Sequence, residues 1–215
     1  MSPQSTSKKI PRSIEKRAEI LRSAAAAFHR RGYTGASVRE IADALHMTKS
    51  NLYYYFKNKE EMLYFCHDYS LDLLLDLLAE VDQDDRPPDV KLRRLVEGFV
   101  HMIIDELHGN ALTLDIQELS PRLLRKVIAK RDRFEHGFRA LIQEGIEQGI
   151  FPPGDPKLLT FAILGAVNWI TRWFDPRGAA SSDTIARTFA DFILAGLTNA
   201  GLRTKTGRAH YRSGV

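Results

Sequence analysis

From Ile14 onward the apolar residues recur three and four positions apart, a spacing that leaves little room for anything but helices. Ile14, Ala18, Leu21, Ala25 and Phe28 make one stripe. Side chains at those intervals share a helix face. Nowhere do polar and apolar residues alternate long enough to specify a strand, so the expected fold is all-α. Gly32 ends the first helix, as a glycine does just past a C-cap. Ser37 and Glu40 make a capping box that opens a short second helix with Val38, Ile41, Ala42 and Leu45 inward. Thr48 caps a third helix that runs to about residue 56. Asn58-Lys59-Glu60-Glu61 opens a long fourth, with Met62, Cys66, Tyr69, Leu73 and Leu77 down one side, and DQDDRPPD (82–89) breaks it.

Beyond that break the same period predicts helices at about 90–108, 110–119, 121–149, 156–175 and 182–201, about nine in all. Leu92, Leu95, Phe99 and Ile103 face inward on the first of these, and Leu124, Val127, Phe134, Phe138 and Leu141 on the third. Ser120-Pro121 and Asp155-Pro156 are starts with proline at the first helical position. LLTFAILGAVNWI (158–170) is the most apolar segment, but it is short for a membrane span and Arg172 follows it. It reads as a buried helix, and no membrane partner is expected. Cys66 is the only cysteine, which excludes an internal disulfide and fits a reducing, cytoplasmic setting. The first dozen residues are polar and basic, without the apolar core of a signal peptide.

Charge is unevenly spread. Residues 1–60 carry twelve Lys or Arg against five acids, whereas 61–202 carry fifteen against twenty-two. A basic head on an acidic body points to a polyanionic partner for the head. The expected organisation is a head at 1–60 with a basic N-terminal arm, a body at 61–202 and a basic tail at 203–215.

The head holds IADALHMTKSNLYYYFKNKEEML (41–63), where four aromatics in a row stand among lysines, a serine and an asparagine. Two short helices joined by a tight turn at 45–48 make a helix-turn-helix, whose second helix reads the DNA major groove. At about 100° per residue, Leu52 and Phe56 point inward together while Ser50 and Tyr54 point away. Lys49 can reach guanine, Asn51 can pair with adenine, and a thymine methyl can pack on Tyr54. Tyrosine hydroxyls and helix-start N–H groups are ordinary phosphate ligands.

SVREIADALHMTKSNLYYYFKNKEEML resembles the N-terminal signature of the TetR/AcrR family of bacterial one-component repressors, and FHRRGY before it fits the same frame. The resemblance spans roughly residues 14–64. It implies base or groove contacts from Lys49, Ser50, Asn51 and Tyr54, and phosphate contacts from Ser37, Arg39, Thr48, Tyr53, Tyr55 and Lys59. One departure is His46, where the family usually has glycine, so the turn must hold a side chain in the left-handed region. The resemblance also implies a homodimer on a palindromic double-stranded DNA operator. The body would be a helical ligand-binding domain whose last two helices form the dimer's four-helix bundle. Ala162, Gly165, Ala166, Ala190, Ala195 and Gly196 on those helices permit close approach.

GAVNWITRWFDP (165–176) and QELSPRLLRKV (117–127) resemble a subgroup that governs fatty-acid, phenylacetate or steroid breakdown and senses acyl-coenzyme A thioesters. Such an effector needs an apolar tunnel, for which Phe99, Ile103, Phe134, Phe138, Trp169 and Trp173 are candidates. It also needs cations for its phosphates, for which Arg122, Arg125, Lys126, Arg133 and Arg172 are candidates. No resident cofactor is implied. His101, Asp105 and His108 share a helix face, which reads as a polar face rather than a metal site. No nucleophile motif, phosphate loop or paired carboxylates point to catalysis. The competing function is a helical acyl- or lipid-binding protein without DNA reading, which has no use for the 37–59 pattern.

Overall fold

The computed structural model describes residues 12–106 and 116–199. Among the described residues eight α-helices follow one another: α1 Arg12–Gly35, α2 Val38–Ala44, α3 Lys49–Tyr55, α4 Lys59–Asp82, α5 Pro88–His101, α6 Pro121–Glu147, α7 Pro156–Trp173 and α8 Ser182–Asn199. A π-helical turn at Met102–Glu106 extends α5, and Ile116–Glu118 is a single 3-10 turn. No strand occurs among the described residues. The count differs from nine because of the helix expected at 110–119. Residues 107–115 lie outside the described residues, and 116–118 form only that 3-10 turn. The basic arm at Lys8 and Lys9, the tail at 203–215 and His108 also lie outside them.

The helix starts follow local chemistry. Ser37 Oγ accepts the Glu40 N–H at 3.0 Å, Thr48 Oγ1 accepts that of Asn51 at 3.2 Å, and Asn58 Oδ1 accepts that of Glu61 at 2.7 Å. The Asp155 carboxylate accepts the N–H groups of Lys157 and Leu158. Each cap satisfies an orphan donor and is worth about 1 kcal/mol. Gly32, at φ 69 and ψ 169, interrupts α1, which resumes for one turn to Gly35.

The turn after α2 holds His46 at φ 52, in the left-handed region expected of it. Met47 N–H reaches back to the Ala42 carbonyl at 2.9 Å, and His46 N–H to that of Asp43 at 3.1 Å. This is the Schellman pattern, normally completed by glycine. The left-handed conformation costs an L-residue roughly 1–2 kcal/mol, and glycine's extra unfolded-state freedom returns about 0.5–1. His46→Gly is therefore expected to stabilise the protein by about 0.5–1 kcal/mol. A thermal melt checks this: a melting temperature at or below that of the parent shows that the imidazole makes compensating contacts.

The described residues fall into two compact units. The first lies within Met1–Leu73 and Asp105–Arg131. Its core is Ile20, Leu21, Ala24, Phe28, Ile41, Leu52, Phe56, Met62 and Leu63, all buried. The start of α6 is tied to α4 by charge: Lys130 Nζ lies 2.5 Å from Asp68 and 2.6 Å from Asp72, and Glu60 accepts the Ser120 N–H at 2.8 Å. The Ser120 hydroxyl first, and its N–H second, hold the Glu60 carboxyl below its usual range. Burial and the adjacent Asp68 push Tyr64 up to about 12.

The second unit lies within Leu74–Ile104 and Asp132–Val215. Here α5 packs on both α7 and α8. Phe99 meets Phe134 edge-on at 5.4 Å, and Phe134 meets Phe138 at 6.0 Å, in a core with Leu92, Leu95, Ile103, Val167 and Ile170. A Cβ at Gly145 would come 2.1 Å from the Phe151 ring, so only glycine fits there. The segment 158–170 is buried on one face only. Thr160, Ile163, Val167 and Ile170 are inward, whereas Leu158, Phe161 and Trp169 stand exposed. The reason is that both faces of α7 are apolar, and one chain has a core for only one of them.

Candidate nucleic-acid interface

The third helix is pinned from within and polar without. Leu52 is fully buried and Phe56, its C-cap, nearly so. Phe56 meets Phe65 edge-on at 5.7 Å. With those two anchors fixed, Lys49, Ser50, Asn51 and Tyr53 stand exposed, and Tyr54 is 85 % exposed. Tyr55 is half-buried and sets its ring edge-on to Tyr54 at 5.3 Å. The run of aromatics therefore splits by helix geometry into one core residue and three with polar tips at or near the surface. Arg39 is exposed beside Asp43 at 3.7 Å, while Ser37 and Thr48 hold the starts of α2 and α3.

Lys59 is placed differently from the other nine expected DNA residues. Its Nζ donates to the Thr34 carbonyl at 3.3 Å and lies 4.5 Å over the Tyr33 ring. Partial burial lowers its pKa, with Glu118 opposing. The side chain closes the start of α4 onto the end of α1 instead of standing free beside α3.

Arg17 is not among the residues expected from the sequence. Its guanidinium lies 4.1 Å over the Phe65 ring and 5.1 Å from that of Phe56, and it lines a ≈ 460 Å³ cleft with Tyr54 and Tyr55. The signal is its spacing, four residues before Leu21 and so on the edge of the α1 apolar stripe. Cation–π contact lets an arginine occupy such a place.

Within the second unit, the residues expected around an effector are not all gathered in one place. Phe99, Ile103, Phe134 and Phe138 pack together in the core of the second unit. Trp169, Arg172 and Trp173 lie on the exposed face of α7, where Trp173 stacks on Phe189 of α8 at 6.3 Å. Arg122 and Arg125 are exposed and belong to the first unit. Of the other expected cations, Lys126 Nζ lies 5.8 Å from the Tyr64 ring. His101 lies 3.3 Å from Asp183.

A capped helix-turn-helix whose second helix exposes lysine, serine, asparagine and tyrosine defines a DNA-binding transcription regulator. Residues 20–64 match the bacterial regulatory proteins of the tetR family, and 85–197, more than half the chain, match the tetracyclin repressor-like C-terminal domain. The chain belongs to the TetR family. It is 27 % identical over 193 residues to the transcriptional repressor KstR2 of Mycobacterium tuberculosis, covering 87 % of this chain and 95 % of KstR2. The crystal structure of the TetR family regulator PfmR from Thermus thermophilus is 36 % identical, with a TM-score of 0.74 over 83 % of this chain and 98 % of PfmR. AibR, solved in complex with isovaleryl coenzyme A and operator DNA, is 28 % identical, with a TM-score of 0.69 over 85 % and 98 % of the two chains. These relatives are transcription regulators, a class that carries out no catalysis. No helix among the described residues is long and apolar enough to cross a membrane.

Proposed function

We propose that this protein is a ligand-responsive, cytoplasmic transcriptional repressor that binds a palindromic operator as a homodimer and takes an acyl-coenzyme A thioester as effector. The observation that carries the DNA part is α3, locked inward by Leu52 and Phe56 and exposing five polar or aromatic side chains in sequence order. The dimer part is supported by the outer face of α7 and α8, where Leu158, Phe161, Trp169, Trp173 and Phe192 stand exposed. Side chains added at Gly165 or Gly196 would meet only open space, so a second chain can approach closely there. Two reading helices about 34 Å apart match one turn of duplex DNA, which gives dimerisation a geometric purpose. The effector part is supported by AibR, which was solved with isovaleryl coenzyme A.

Retardation of genomic fragments at two salt concentrations tests the DNA part. Each phosphate contact releases counterions, so log affinity is expected to fall with log salt at roughly −0.9 per contact. An acyl-coenzyme A is then expected to shift operator affinity by about 5–150-fold, the usual range for coupled sites. No retardation at low salt, or no response to salt, rules out operator binding.

A further inference from the structure

Inside the first unit the ≈ 460 Å³ cleft that Arg17 lines opens between α1, α3 and α4. That volume lies within the roughly 300–1,000 Å³ of small-molecule sites. All its lining residues fall within 17–72, so none belongs to the second unit. Tyr54 and Tyr55 of α3 and Phe65 and Tyr69 of α4 give it aromatic walls. Such walls take a flat ring by stacked or edge-on contact.

Arg17 is the member with a donor to spare. Its guanidinium lies 4.1 Å over the Phe65 ring and 5.1 Å from that of Phe56. Those rings answer the charge, but they offer no oxygen to an N–H. The Nε of Arg17 is buried without a hydrogen-bond partner among the described residues. A covered donor left that way is costly and calls for an acceptor. Nε and a neighbouring Nη make a planar fork that matches the two oxygens of a carboxylate.

Asp68 and Asp72 also line the cleft, but other partners hold them. Lys130 Nζ lies 2.5 Å from Asp68 and 2.6 Å from Asp72, and the Tyr64 hydroxyl donates to Asp68 at 2.9 Å. Arg17 and Lys130 against these two acids leave no positive surplus. One negative charge on a ligand is therefore tolerated, whereas a string of them, as on a nucleic-acid strand, is repelled.

We infer that this cleft is a ligand site in the head itself for a planar aromatic monoacid, its ring among Tyr54, Tyr55, Phe65 and Tyr69 and its carboxylate on the Arg17 guanidinium. Tyr54 and Tyr55 belong to the helix proposed to read DNA, so occupancy opposes operator binding. That consequence rests on the operator reading above, and the site does not.

Calorimetric titration of the full chain with 2-naphthoate and with 2-naphthamide, its uncharged counterpart, tests it. The acid is expected to bind at least about tenfold more tightly than the amide, the scale of one charge-assisted hydrogen bond. Arg17→Met is expected to lose that preference. Tyr54→Ala is expected to weaken binding of the acid about fivefold, the scale of one aromatic pair. Tyr54 is 85 % exposed, so this variant folds even where Arg17→Met does not. The assignment is overturned if the acid does not bind, if Arg17→Met keeps the preference, or if Tyr54→Ala binds the acid as the parent does. It is also overturned if Arg17→Met lowers the salt slope of operator retardation by about one contact, because the guanidinium then serves a DNA phosphate. In the same retardation assay 2-naphthoate is expected to lower the parent's operator affinity at least about fivefold, and unchanged affinity overturns the opposition. The calorimetry uses no DNA, so a chain that retards no fragment loses the operator reading and keeps the site.

Discussion

Trp169→Glu is expected to convert the proposed homodimer into single chains and to lower operator affinity with it. Trp169 is 64 % exposed in the single chain and lies on the outer face of α7, opposite Val167 and Ile170. Leu158 and Phe161 precede it on that face, Trp173 follows, and Phe192 of α8 is 77 % exposed. Monomeric proteins rarely leave such a run of large apolar side chains uncovered. Tryptophan at the centre of an interface is a typical hot spot, with truncation costs of about 2–4 kcal/mol. In a two-fold dimer every substitution appears twice, so the loss is about 4–8 kcal/mol, or roughly a thousandfold or more in the dimer dissociation constant. A buried unpaired carboxylate adds to that. Sedimentation at several concentrations measures the assembly, and fragment retardation the operator affinity. A variant that still sediments as two chains places the interface elsewhere.

Much of the head was legible in the sequence because its determinants are local. Ser37, Thr48 and Asn58 accept N–H groups three residues on, and those spacings are visible in the chain itself. Leu52 and Phe56 are inward for the same reason, four residues apart on one helix. His46 can be placed in the left-handed region because a tight turn there demands it.

The body was less legible because its helices are apolar on two faces. On α7, Ile163, Val167 and Ile170 make one stripe and Leu158, Phe161, Trp169 and Trp173 another. Spacing identifies both stripes but not which of them meets the chain's own core. That is why Trp169 and Trp173 read as pocket lining beside Phe99 and Phe138, which lie in the core. Charged residues mislead in the opposite sense. Arginine and lysine read as surface residues, so Arg17 over Phe65 escapes notice. The family resemblance implies a phosphate contact for Lys59 but not its contacts with Tyr33 and the Thr34 carbonyl, 25 or more positions earlier in the chain. No local pattern announces such a long-range contact.

Phe56→Ala is expected to cost about 3–5 kcal/mol, the usual penalty for truncating a fully buried phenylalanine. Phe56 is 1 % exposed, meets Phe65 at 5.7 Å and lies under the Arg17 guanidinium at 5.1 Å. Its backbone N–H also closes α3 onto the Leu52 carbonyl at 3.2 Å. Truncation therefore opens a cavity, removes one aromatic partner from a half-buried cation and loosens the end of the reading helix together. Against a total stability of about 5–15 kcal/mol for a domain, that is a large share. The melting temperature should fall by roughly 6–20 °C, since 1 kcal/mol corresponds to about 2–4 °C in a chain of this size. Tyr54→Ala, two residues earlier, is the control. Tyr54 is 85 % exposed, so its loss should change stability by no more than about 0.5 kcal/mol while weakening DNA retardation. Circular dichroism melts and retardation assays on both variants separate the two roles within the aromatic run. If Phe56→Ala melts like the parent, that ring is not the anchor of α3, and the outward presentation of Lys49, Asn51 and Tyr54 needs another cause.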